Sequence, residues 1–329
     1  MEKNVLEFLK KGSVKEPISF KNLKIYPITI EDYPVFAHST LGESISNGDI
    51  KVEEINEQGH VPELFVTNES MIRVFLMDGE EVIGAKQNRI LNTSIIIESK
   101  GSIKIPVSCV EQGRWNSKGR YMEEGEISHS KLRGSKANQV YYNLKSNKVF
   151  ASNQSEIWNE VDEKLNSFNI NSHTRAMHDV IIDKEEEIKS FADNIPYIEG
   201  SSGVIVIINE KIVCADIFGD NKTLKKLWKK LISSYALDAL DECKESSKPI
   251  DHEAVLLFLK DLEGLEYEEF KSPGLGKDIR FENKKYTGSA LVCDNKVIHL
   301  SAFRRENKED KRYNRMQRPS RRYRNQNEF

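Results

Sequence analysis

The chain has 329 residues, a formal net charge of −3, 38% hydrophobic and 31% charged residues. That composition supplies folded cores under a heavily charged surface and excludes a fibrous or wholly disordered class. The length exceeds the roughly 250–300 residues at which one core stops growing, which predicts two subdomains.

The start, Met1 to Lys11, alternates charged and apolar residues, so it reads as a short amphipathic helix and not as a secretory signal. From Ile18 to about Phe150 strand patterns dominate: Leu23 to Ile28, Glu63 to Thr67, Val74 to Met77, Glu81 to Ile97 and Ile103 to Glu111. Gly113 to Ala137 is polar and Gly-containing and reads as a long loop. Near Ser152 the period changes, with Ile157, Trp158, Val161, Leu165 and Phe168 on one helical face behind a cap at Ser152 or Asn153.

Leu224, Leu227, Trp228, Leu231, Ile232, Tyr235, Ala236 and Ala239 give the fullest helical repeat, and another helix follows a cap at Asp251. Gly203 to Phe218 and Gly288 to Phe303 both read as strand, two-residue turn, Lys, strand, Phe; chance likeness between two hairpins and a duplicated unit both account for this. The expected fold class is therefore α+β. Residues 1–150 form an N-terminal antiparallel, sandwich-like β domain, 151–303 an α/β subdomain with helices packed on hairpins, and 304–329 a disordered tail.

The apolar runs Val204 to Ile208 and Val255 to Leu259 fall far short of the roughly 20 residues a membrane helix requires, so no membrane partner is expected. Cys109, Cys214, Cys243 and Cys293 form no Cys-x-x-Cys pair, which points to a reducing cytoplasm without zinc ribbon or disulfide framework. The tail holds ten Lys/Arg against four Asp/Glu, with Tyr313 and Tyr323 interleaved. Phosphate contact with base stacking suits that pattern, and so does plain solubilisation.

The unusual chemistry lies between Gly79 and Trp115. A hairpin turning near Lys100 would set Ile95 opposite Ile105, Thr93 opposite Val107, Leu91 opposite Cys109 and Arg89 opposite Glu111. Its far end then gathers Lys86, Gln87, Asn88, Arg89, Glu111, Gln112 and Arg114 beside Trp115, with Asn92 facing Ser108. Lys, Gln and Asn are poor strand formers, and Gly84 weakens the ladder before them. A binding site explains the run: Gly84 admits a ligand closely, Arg89 and Arg114 hold phosphate, Trp115 stacks, and Glu80, Glu81 and Glu111 are candidate general bases. A sheet end closed by an Arg89–Glu111 pair explains it equally well.

The segments DGEEVIGAKQNRILNTS and IPVSCVEQGRW, Asp78 to Ser94 and Ile105 to Trp115, resemble the ADP-ribosylglycohydrolase and rhodanese-phosphatase-superfamily-associated protein domain, first type, over roughly residues 18 to 190. The resemblance implies a nucleotide-like ligand at the cluster, carried by Glu80, Gly84, Lys86, Gln87, Asn88, Arg89, Asn92, Cys109, Glu111, Gln112, Arg114 and Trp115. Whether hydrolysis follows binding is left open, as are the cofactor and metal.

Other candidates are weaker. His173 and His178 lack metal-ligand spacing, no Gly-x-Ser-x-Gly elbow occurs, and Gly200 to Gly203 precedes a strand instead of opening a helix. Asp216 and His299 interrupt apolar strands and read as outward-facing residues. Two functions follow: binding, with or without hydrolysis, of an ADP-ribose-like small molecule with Glu111 and Glu80 as the candidate catalytic groups, or a non-catalytic module whose tail recruits nucleic acid or an acidic partner.

Overall fold

The computed structural model describes residues 2–56, 58–242 and 252–305; Cys243, Asp251 and the tail from 306 onward lie outside the described residues. Among the described residues, eight helices and 18 strands form an α+β fold. Its pairings are antiparallel except for His38–Thr40 beside Arg73–Leu76.

The largest sheet has nine strands, running in space Gly12–Val14, Leu23–Ile30, Gly203–Ile208, Lys211–Phe218, Lys296–Arg304, Tyr286–Cys293, Lys277–Glu282 and Tyr267–Lys271, with Ile18–Phe20 added beside Leu23–Ile30. Alternate residues serve two cores. Val204, Val206 and Ile208 face the helix Asn221–Asp241, whereas Ile205 and Ile207 face the helices Glu2–Lys10 and His252–Glu263. Burial on both faces is why these strands read as continuous apolar runs.

The two hairpins seen in the sequence lie side by side in this sheet. Each turns through two residues of positive φ, Asn209 and Glu210 in one, Asp294 and Asn295 in the other. Such turns match the twist of paired strands. Each also bulges at the equivalent place, between Val206 and Ile207 and between Leu291 and Val292. Asp216 and Ser301 hold equivalent positions and pair directly, so a pseudo-two-fold axis passes between them. The helices leading into the outer strands repeat as well: Val5-Leu6-Glu7-Phe8-Leu9-Lys10 matches Val255-Leu256-Leu257-Phe258-Leu259-Lys260, and both pack in one core. One unit of a helix and four strands therefore occurs twice, and the first copy carries residues 31–202 between its second and third strands.

That inserted segment holds a six-stranded sheet ordered Met122–Ile127, Glu80–Gly84, Arg89–Leu91, Ser102–Cys109, Glu63–Asn68, Ile50–Glu54. A bridge between Glu53 and Tyr121 joins its edge strands, so the sheet curls back on itself around Val52, Leu64, Val66, Val82, Leu91 and Val107.

The predicted helices are present as Glu2–Lys10, Gln154–Ser167 capped by Asn153, Asn221–Asp241 and His252–Glu263. The loop expected over Gly113 to Ala137 ends early, giving way to the strand Met122–Ile127 and the 18-residue helix Ser130–Asn147. Its apolar period is hidden because Arg133 and Lys136 occupy the buried face, where carboxylates on other elements satisfy them.

Gly203 and Gly288 abut the backbone of the neighbouring strand: a Cβ would lie 2.9 Å from the Ile217 Cα at the first and 2.2 Å from the Ser301 carbonyl oxygen at the second. Alanine at either position is expected to lower stability by roughly 1–3 kcal/mol, read from urea unfolding midpoints.

Candidate functional site

The cluster forms where Glu80–Gly84 turns into Arg89–Leu91. Gly84 has φ +119°, a conformation that side-chain-bearing residues rarely adopt, and Asn88 closes the turn by accepting from the Gly84 N–H at 3.2 Å. Arg114 then locks it. Its guanidinium donates to the carbonyls of Gly84 (3.1 Å), Ala85 (2.6 Å) and Asn116 (3.1 Å), to Asn88 Oδ1 (3.0 Å), and to both Glu111 oxygens (2.6 and 2.8 Å). Glu111 also accepts from the Asn88 N–H at 3.0 Å, and Gln87 donates to the Glu111 carbonyl at 2.9 Å. Burial pushes the Glu111 carboxyl up, but Arg114 and Asn88 outweigh it and hold it below its ordinary range.

The register differs from the expected one by two residues. Arg89 lies opposite Cys109 and Leu91 opposite Val107. A two-residue shift preserves the faces. Its cause is a longer excursion: Ile95–Ile97 leaves to pair with Arg73–Leu76, while Ser102–Pro106 takes Glu63–Thr67 as partner. Asn92 still meets Ser108, at 2.5 Å, and donates to the Phe150 carbonyl at 2.9 Å.

The expected Arg89–Glu111 pair does not form, because Arg114 occupies Glu111. Arg89 is instead 0% exposed at the mouth of the curled sheet. Its Nε donates to the Val61 carbonyl at 3.2 Å, and both terminal nitrogens lack a hydrogen-bond partner. Glu54 stands 3.9 Å away, one of its own oxygens unpartnered. The Trp115 ring, 45% exposed, lies 5.9 Å from the guanidinium and 5.4 Å from the Lys86 ammonium.

Glu80 is fully buried, accepting from the Met77 N–H at 2.9 Å and from Lys230 at 3.3 Å. It therefore ties the motif to the helix Asn221–Asp241. Cys109 is buried, and burial pushes its thiol up, away from a nucleophile's range. His173 and His178 do not converge, and no group of three metal-ligating side chains is arranged for an ion among the described residues. Two open clefts of about 440 Å³ are lined by Lys260 to Leu265 with Asn283 to Lys285, and by Thr40 to Asn47 with Glu124 and Lys230; neither contains Arg89, Glu111 or Trp115.

Asp216 and His299 are not outward-facing. Both are buried beside the pseudo-two-fold axis, Asp216 accepting from Arg133 at 2.6 and 2.9 Å and from Tyr235 at 2.6 Å, with His299 Nε2 at 3.3 Å. Ser94 reaches the other His299 nitrogen at 2.9 Å, and Lys136 joins Asp78 to the Leu91 carbonyl. Burial outweighs Asp78 and pushes the Lys136 ammonium down to about 8. This network is invisible in sequence because its members come from five separated segments; two charges on the buried side of one helical period were the available sign.

Fold and cluster define an α+β protein with a duplicated helix–sheet unit and an inserted, curled β sheet whose mouth holds an arginine with two terminal nitrogens free of hydrogen bonds. The chain belongs to the family described as ARG and Rhodanese-Phosphatase-superfamily-associated Protein domain, whose model matches residues 11–303. The match thus extends past the expected limit near residue 190 and takes in both C-terminal hairpins. No curated protein and no solved structure matches the chain.

Replacing Arg114 by Gln leaves Glu111 buried without its counter-charge and is expected to cost about 3–5 kcal/mol at neutral pH. Because the Glu111 value is depressed in the fold, its stabilisation is complete above its unfolded value of 4.5 and is lost as pH falls through the folded value. The gap between wild type and variant in urea unfolding should therefore narrow in acid.

Proposed function

We propose that the chain binds a nucleotide-derived, ADP-ribose-like ligand at the mouth of the curled sheet, in a reducing cytoplasm. Arg89 and Lys86 take its phosphates and Trp115 stacks on its base, while Arg114, Glu111, Asn88, Gln87 and Gln112 build the frame. The observation that carries this reading is Arg89. A fully buried guanidinium with two unused donor nitrogens is costly, and an arriving anion would satisfy both in the forked geometry that phosphate favours.

We read ARG in the family description as ADP-ribosylglycohydrolase, and an association with such enzymes would suit the same ligand. The buried, free cysteines Cys109, Cys214 and Cys293 suit the compartment. A second reading, a non-catalytic module recruiting nucleic acid or an acidic partner, is favoured by the filled turn around Arg114.

Arg89→Met tests the proposal. Without ligand, the long 3.9 Å ion pair with Glu54 and the single hydrogen bond to Val61 are what the substitution removes, so stability should change by no more than about 1 kcal/mol. In a thermal-shift titration, ADP-ribose should raise the Tm of the wild type and not that of the variant. Equal shifts in both, or a marked destabilisation by Met, would place Arg89 in the frame instead.

A further inference from the structure

Arg89 shares the mouth of the curled sheet with a second group whose polar capacity is unused. Glu54 Oε2 is buried without a hydrogen-bond partner, and the Glu54 side chain is only 10% exposed. A buried carboxylate oxygen left in this state is costly. Alternation along the strands accounts for its position. Ile50 and Val52 face the core of the curled sheet, so Glu54, two residues on, carries the same inward row to its end. Arg89 does the same two residues before Leu91. The two rows end close together: Glu54 Oε1 lies 3.9 Å from Arg89 Nη2 and accepts from the Lys86 N–H at 3.3 Å.

Gly59 brings the aromatic ring to the same place. It has φ +78°, and a Cβ on it would lie 2.9 Å from Lys86 Cδ, 3.2 Å from Trp115 Cζ2 and 3.4 Å from Glu54 Oε2. The free carboxylate oxygen, the lysine stem and the indole therefore converge on a residue that contributes no side chain.

The unused groups make opposite demands. Arg89 Nη1 and Nη2 only donate, whereas Glu54 Oε2, a carboxylate oxygen, only accepts. Inorganic pyrophosphate, rich in acceptors, would answer Arg89 and leave Glu54 facing further negative charge. A sugar phosphate answers both, with phosphoryl oxygens for the guanidinium and, a few bonds away, hydroxyls for the carboxylate. Carboxylates take ribose hydroxyls in this manner where dinucleotides are bound.

We infer that Glu54 selects the ligand at this mouth by accepting a hydrogen bond from a ribose hydroxyl while Arg89 holds the phosphate. The ligand class is then a ribose phosphate with free hydroxyls. The same carboxylate rejects bare pyrophosphate, since an unpaired charge set against the wrong ligand also creates specificity. The inference rests on the phosphate reading of Arg89.

The test is a set of thermal-shift titrations of the full chain with ADP-ribose, ribose 5-phosphate and inorganic pyrophosphate, in the wild type, Glu54→Ala and Glu54→Gln. Removing the acceptor should raise the Kd of both ribose phosphates roughly 10–100-fold, the effect of losing a hydrogen bond to a charged group, and lower that of pyrophosphate. Glu54→Gln keeps the volume and serves if the Ala variant does not fold; it too should strengthen pyrophosphate while weakening ribose 5-phosphate. Ribose phosphates unaffected by the variants, or all three ligands moved in one direction, overturn the inference and leave the Arg89 reading standing. No shift with ADP-ribose in the wild type overturns the Arg89 reading, and this inference with it.

Discussion

The structure depends on the bidentate pair between Arg133 and Asp216. Both side chains are 0% exposed, and the pair joins the helix Ser130–Asn147 to the central strand at the pseudo-two-fold axis. Burial disfavours both charges, yet Arg133 holds Asp216 well below the carboxylate range, so the pair stays ionised in the interior. Asp78 stands beside the same arginine and takes Lys136, while Ser94 meets His299. Both ends of the motif segment are thus held against the duplicated sheet. Loss of one partner from such a pair typically costs about 3–5 kcal/mol.

That anchorage separates the polar residues of the motif by role. Glu80, Asn88, Glu111 and Arg114 have their hydrogen bonds made within the protein, and a satisfied network of this kind rigidifies what it surrounds. Arg89 and Glu81 do not. They lie on adjacent strands of the same sheet, directed to opposite faces, each with polar atoms left over. A rigid frame around unsatisfied groups is the arrangement that ligand binding requires.

Much of this was legible in the sequence. Apolar period gave the helix Asn221–Asp241 and the C-terminal hairpins, because their packing is made by local, repeating side chains. The Lys86-to-Arg114 concentration was visible because those residue types are foreign to strands. Pairings across long separations were not: nothing near Leu23–Ile30 indicates Gly203–Ile208 as its neighbour. The helix Ser130–Asn147 was hidden by the charges it buries, and Asp216 and His299 were misread for the same reason. Arg89 was paired with Glu111 on paper because a strand ladder places them near each other; the fork of Arg114, three residues along from Glu111, took that carboxylate first.

The central claim is that Arg89 is buried with donors reserved for an anion. A crystal structure of the full chain grown with ADP-ribose tests it most directly. The account predicts phosphate oxygens within hydrogen-bond distance of both terminal Arg89 nitrogens, with the Arg114–Glu111 frame unmoved. Ligand density elsewhere, with the terminal Arg89 nitrogens still without hydrogen bonds, would contradict it.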